Sequence, residues 1–175
     1  DFDNLGGNTA YALSLATAEA AANSYDIPLF RHLAGRSVNE LPFPLGNVLG
    51  GGKHAKGKAP DIQEFLVLPL KANNFLEAAK INALVHQKVG SLLRKVDANT
   101  VGGKGDEGAW APHMKDEDAL EIVSKACEEV SEELGAECRV GLDFAASTFW
   151  NSKENQYIYI QDKTRKGSGE QLDYV

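Results

Sequence analysis

DIQEFLVLPL, residues 61–70, is the stretch on which the fold turns. Its β-branched and aromatic run, closed by Pro69, reads as a strand, and Glu64 sits inside the apolar part. In a regular strand Glu64 shares a face with Ile62 and Leu66. Downstream, Ile81, Val85, Val89, Leu92 and Val96 recur at helical spacing behind the cap candidate Asn74. Gly90 is a weak point in that helix, costing about 1 kcal/mol. Leu120, Val123, Cys127, Val130 and Leu134 form a second stripe, with Asp116 as candidate cap and Gly135 as stop. CRVGLDFAA (138–146) reads as a buried strand, and QYIYIQD (156–162) as another in a surface hairpin. Upstream, LPFPLGNVLGGG (41–52) suggests a short strand running into a loop. NTAYALSLATAEAAANS (8–24) reads as a buried helix, and PLFRHLAG, between Pro28 and Gly35, as a short second one. Strands alternating with helices imply a parallel α/β fold with right-handed crossovers.

Bulk properties exclude several function classes. The 175 residues suffice for one domain with a real core or for a piece of something larger. With 43% hydrophobic and 25% charged residues, the chain is neither disordered nor membrane-embedded. A net charge of −7 argues against a nucleic-acid partner. No run approaches the roughly 20 apolar residues of a membrane span, and no signal peptide is visible. Cys127 and Cys138 lack CxxC spacing and suggest free thiols in a reducing compartment. The sole methionine is Met114 and the chain opens DFDNLGG, so it reads as an excerpt from a longer protein.

Three carboxylates stand out. Glu64 lies in IQEFLVL, Glu107 between glycines in GDEGAWAP, and Asp143 in VGLDFAA. One acidic residue in a strand is usually an edge or surface residue, because a carboxylate is almost never buried without a partner. Three at successive strand ends invite one explanation, weighed evenly against the structural one: in a parallel barrel the C-terminal strand ends converge on one site. Carboxylates held together there divide the labour of acid, base and metal ligand.

Two glycine motifs are decoys. In GGGKHA (50–55), Gly52-Lys53 is followed by His54 rather than a hydroxyl residue, which excludes a phosphate-binding P-loop. GKGDEG (103–108) fits the dinucleotide pattern, but Asp106 and Glu107 would put negative charge in the phosphate cradle, and Pro112 delays the helix. His86, in a helix, reads as a surface or packing residue; His32 and His113 have no metal-ligand spacing.

Laid out in order, these segments resemble the enolase family. LGGNTAYALSLATAEAAA looks like the family's helix near the end of its N-terminal cap domain. LPFPLGNVLGGGKHA, DIQEFLVLP, GDEGAWAP and GLDFAASTFW look like consecutive barrel motifs in family order. The resemblance implies α/β architecture: residues 1–40 as the helical end of the cap domain, and 41–175 as the first part of a TIM-like barrel. It implies a cytoplasmic enzyme that interconverts 2-phosphoglycerate and phosphoenolpyruvate with Mg²⁺, as a homodimer or higher homo-oligomer.

Matched motif by motif, Glu107 resembles the acid that helps the 3-hydroxyl leave, with Glu64 beside it on the same hydroxyl or water. Gln63 and His54 resemble substrate contacts, and the glycines before His54 would let its loop move over the ligand. Asp143 resembles a Mg²⁺ ligand. The chemistry needs such groups, because hydroxide is a poor leaving group and must receive a proton as it departs. Lys53, and Ala109-Trp110 after the glutamate, depart from the usual family residues. GEQLDYV ends the chain before the family's remaining metal carboxylates, base lysine and phosphate-binding segment, so these 175 residues alone are expected to be inactive.

Overall fold

The computed structural model describes residues 4–35, 40–55, 59–96, 103–161 and 163–167. The chain divides into two units, Asp1–Leu41 and Pro42–Val175. In the first, alanine-rich α1 (Gly7–Ser24) is followed by the single-turn-and-a-half α2 (Leu29–Ala34), with Pro28 fixing the entry at φ −60°. Between them the Ile27 N–H reaches back to the Ala22 carbonyl at 3.2 Å. The expected burial of α1 is not found. Ala22 is its buried side chain, while Tyr11 and Leu13 are exposed. A six-residue partner helix is too short to cover a helix that is apolar on several sides.

In the second unit, β1 (Gly46–Gly50) and β2 (Glu64–Pro69) precede two long helices, α3 (Phe75–Val96) and α4 (Asp116–Leu134). Then comes β3 (Cys138–Asp143), and the three strands form one sheet in the order β1-β2-β3. Both pairings are antiparallel, which corrects the parallel expectation. The reason is in the connections. Among the described residues between β1 and β2 there is no long helix, so the chain simply doubles back. Between β2 and β3 stand two helices; one would return the chain for a parallel strand, and the second reverses it again. β2 therefore runs against β1 and β3, and Glu64 lies at its start rather than its end.

The strand period then sorts the side chains. Phe65, Val67 and Pro69 are buried, while Glu64, Leu66 and Leu68 take the opposite, half-buried face. Phe65 and Val67 join Val48 and Leu49 in a core closed by Ile81, Val85 and Val89 of α3 and Val123, Cys127 and Val130 of α4. Each such side chain contributes about 1.5–3 kcal/mol on burial. Lys88 links the helices at their surface, 2.6 Å from Glu133 and 3.3 Å from Glu129.

Asn74 caps α3 as expected, its side-chain oxygen accepting the Glu77 N–H at 2.9 Å. Gly135 ends α4 in the left-handed region at φ 61°. Asp116 is not the cap of α4. Lys115 holds that position, and the Asp116 carboxylate turns inward to accept the Ile62 N–H at 3.0 Å. A second sheet, β4 (Trp150–Asn151), β5 (Gln156–Tyr159) and β6 (Thr164–Lys166), is the expected hairpin with one strand more. Its Tyr159 is fully buried against Phe149, ring centroids 4.8 Å apart. The Gln161 N–H just beyond donates to Asp61 at 2.6 Å and ties this sheet to the loop that leads into β2.

Both cysteines are buried and unpaired with each other. Burial, with Cys138 nearby, pushes the Cys127 thiol from 9.0 up to about 12. Burial also raises Cys138. An acid whose pKa is raised by folding stabilises the fold while the unfolded chain also keeps the proton, and ceases to as the unfolded thiol ionises. The contribution of Cys127 is thus intact below about pH 9 and lost as pH rises towards 12. Urea titrations between those limits are expected to show a steeper fall in stability for the wild type than for Cys127→Ala. Equal slopes would refute the assignment.

Candidate functional site

The sheet register places the three carboxylates. Residues directly opposite in an antiparallel pair share a face. Glu64 lies opposite Gly50 on one side and Asp143 on the other, and Asn47 lies opposite Leu66. These rows belong to the face away from α3 and α4. Gly46, opposite Val67, confirms the sorting from the other side: a Cβ there would meet the Asn82 side chain of α3 at 2.8 Å.

Glu107 joins the same face through a side chain. The Asn47 amide donates to its carboxylate at 2.9 Å. Backbone bonds bring it there, because the Trp110 N–H donates to the Val48 carbonyl at 3.0 Å and the Gly50 N–H to the Trp110 carbonyl at 2.8 Å. The segment holding Glu107 therefore extends the sheet beside β1, parallel to it at Leu49–Trp110. The Asn47 row and the Glu64 row are two residues apart along β2, about 7 Å. Glu64 is half-buried; Glu107 and Asp143 are exposed. Asp143 also shapes its own turn, one oxygen accepting the Ala145 N–H at 2.9 Å while Ala145 takes φ 47°.

His54 and Gln63 belong to the loop that leaves the sheet beside Glu64. The Gly51 N–H donates to the Gln63 carbonyl at 2.9 Å, and the Gly52 N–H to the Pro60 carbonyl at 2.8 Å. His54 closes the 3₁₀ turn Gly52–His54, and Gln63 is half-buried. Gly51 has a reason to be glycine beyond mobility: it is buried, and a Cβ would lie 2.2 Å from the Pro60 oxygen.

Sequence reasoning missed Asn47, and its reading of His86 as a surface or packing residue holds on the packing side. Asn47 is the polar position in a run of glycine and apolar residues, and its Oδ1 is buried without a partner. His86 packs against Trp110, rings stacked 5.3 Å apart. The GKGDEG segment folds as a tight turn, Gly108 N–H to Gly105 carbonyl at 3.1 Å, and the next helix begins only at Asp116.

The electrostatics are unusual for a sheet. Like charges set directly opposite one another are destabilising. Glu64 and Asp143 hold that relation, and Glu107 adds a third acid on the same face. Such a face is suited to a cation or a proton in transit. Among the described residues, no group of three or more His, Cys, Asp or Glu is close enough to hold a metal ion. Mg²⁺ commonly takes only one or two carboxylates and completes its shell with water and substrate oxygens. Asp143, exposed and carboxylate-bearing, fits as one such ligand.

The family model described as "Enolase, C-terminal TIM barrel domain" matches residues 38–174. The chain is 50% identical over 175 residues to the enolase of Methanothermobacter thermautotrophicus, covering all of this chain and 42% of that protein. Identity to the enolase of Methanosphaera stadtmanae is also 50%, with the same coverage. To that of Pyrobaculum aerophilum it is 43% over 174 residues, 99% of this chain and 41% of that protein. The chain therefore spans roughly two-fifths of the length of these curated relatives. Its open sheet, covered by two helices on one face, is a segment of barrel wall that does not close on itself.

Proposed function

We propose a function that proceeds from one fact: this chain belongs to the enolase family. The protein that carries it catalyses the reversible dehydration of 2-phosphoglycerate to phosphoenolpyruvate. The observation that supports this reading is the acidic face, where Glu64 and Asp143 stand opposite each other and Asn47 orients Glu107.

In this reading Glu107 passes a proton to the departing 3-hydroxyl, and Glu64 holds the same hydroxyl or the water it becomes. Gln63 and His54, from the loop beside Glu64, contact the substrate. Asp143 would supply one oxygen to Mg²⁺, which when bound would contribute positive charge to offset negative charge on the substrate. Residues 1–40 would be the end of the cap domain and 41–175 the first part of the barrel domain. The protein works in the cytoplasm as a homodimer or larger homo-oligomer; among the described residues no helix is long and apolar enough to cross a membrane.

The test is formation of phosphoenolpyruvate from 2-phosphoglycerate by the protein expressed at its full genomic length. Turnover is expected with Mg²⁺ and not after chelation. Residues 1–175 alone are expected to be silent, since they match one metal carboxylate of the family and no base lysine. A full-length protein that binds substrate without turnover would instead favour a non-catalytic binding module.

A further inference from the structure

We infer that His86 is a positioning residue for Glu107, an inference that rests on the enolase reading above. Glu107 sits in a turn closed by the Gly108 N–H on the Gly105 carbonyl, and the glycines at 105 and 108 leave the chain on either side of it conformationally permissive. Beside the backbone bonds of Trp110 to β1, two further contacts among the described residues help to hold it. One is the Asn47 amide on the carboxylate. The other is a clasp on the backbone made by α3.

The clasp has three parts. His86 Nε2 lies 3.0 Å from the Gly108 carbonyl oxygen. A carbonyl only accepts, so this nitrogen carries the proton and donates. The imidazole stacks on the Trp110 indole at 5.3 Å and 22°. The indole N–H in turn donates to the His86 carbonyl at 2.8 Å. Residues 108 and 110 are thus bound to one residue of α3, on the chain just after Glu107.

The surroundings are built to admit this arrangement. Gly90, one turn along α3, leaves the space the indole occupies: a Cβ there would lie 2.4 Å from the ring. Arg94 and Lys104 approach the same ring at 5.6 and 5.0 Å, where a cation is attracted to the π-face. Gly90 is therefore the opening for Trp110 rather than a defect in the helix.

In this role His86 acts through Gly108 rather than on the substrate. Losing it should let Glu107 drift while substrate contacts elsewhere persist. A misplacement of about 1 Å can cost about 10²-fold in rate. In the full-length protein, His86→Ala is expected to lower kcat about 10–100-fold, per site titrated by substrate binding, with KM within about twofold. His86→Gln, which keeps a donor for the Gly108 carbonyl, should recover most of that loss. On a Glu107→Gln background, His86→Ala should add almost nothing, because two groups acting as a unit are not additive. A merely structural role would change the fraction of folded protein but not kcat per site. Unchanged kcat per site in His86→Ala, a His86→Gln no better than His86→Ala, or full additivity with Glu107→Gln would each overturn the inference. A wild type with no turnover would instead refute the enolase reading, and this inference with it.

Discussion

Glu107→Gln, in the full-length protein, is expected to lower kcat by about 10²–10⁴-fold while leaving substrate affinity nearly unchanged. Glutamine keeps the length and shape of the side chain. Its carbonyl oxygen can still accept the Asn47 amide, which now donates to Glu107 at 2.9 Å, so the turn stays where it is. The lost property is proton donation to a leaving hydroxyl. Because the proton moves only as the C–O bond breaks, the loss falls on the transition state rather than on binding. Steady-state kinetics, with substrate affinity measured by calorimetry, separates the two. A near-normal kcat would remove Glu107 from the chemistry. A collapse of binding with little change in kcat would make it a substrate contact.

Gly51→Ala should be the most disruptive single methyl in the second unit. Its Cβ would fall 2.2 Å from the Pro60 oxygen, 2.5 Å from the Ile62 oxygen and 2.8 Å from the Pro60 carbonyl carbon. All three are backbone atoms, so no side chain can swing aside. Nor is the backbone free to yield, because Gly51 and Gly52 donate to Gln63 and Pro60, and Asp116 grips the Ile62 N–H. Overpacking typically costs about 1–3 kcal/mol, and three backbone contacts under 3.0 Å put Gly51→Ala near the top of that range, at about 3 kcal/mol. At about 2–4 °C per kcal/mol for a domain of this size, Tm should fall by roughly 6–12 °C. The loop bearing His54 and Gln63 would move with it. Gly7→Ala is the control, since a Cβ there meets nothing within 4 Å. If both variants melt with the wild type, the packing described at residues 51–63 is not the packing in solution.

Local patterns made most of the elements legible. The stripe of Ile81, Val85 and Val89, the cap at Asn74 and the stop at Gly135 all depend on neighbours within a turn or two. Strand direction does not. β2 runs against β1 and β3 because, among the described residues, no crossover helix separates it from β1 and two helices separate it from β3. Both helices were visible in the residue pattern, and counting them would have corrected the parallel reading. Asp116 deceived for a different reason: an aspartate at a helix start normally caps it, whereas this one is 1% exposed and bound to Ile62. Glu64 and Asp143 stood out because acids in apolar strands are conspicuous, and Glu107 because it stands in a glycine turn. Asn47 did not, because an asparagine among glycines reads as a turn, and a helical histidine that reads as surface or packing does not name Gly108 and Trp110 as its partners. The contacts of Asn47 and His86 lie 60 and 22 residues away, beyond any local pattern.

The pairing of β2 with β3 also dictates an order of assembly. Gly50 meets Glu64 after a loop of about 14 residues, an entropic cost near 2 kcal/mol, whereas Pro69 meets Cys138 after about 70, a cost near 4 kcal/mol. The β1–β2 hairpin is therefore expected to form first, with β3 closing after α3 and α4 have docked and shortened the path. Glu64 and Asp143 are brought face to face only at that late step. Until then each carboxylate remains hydrated and distant from the other, and their mutual repulsion opposes none of the collapse that builds the core. The charge confrontation on which the chemistry would depend thus arises only when the finished core is already there to hold it.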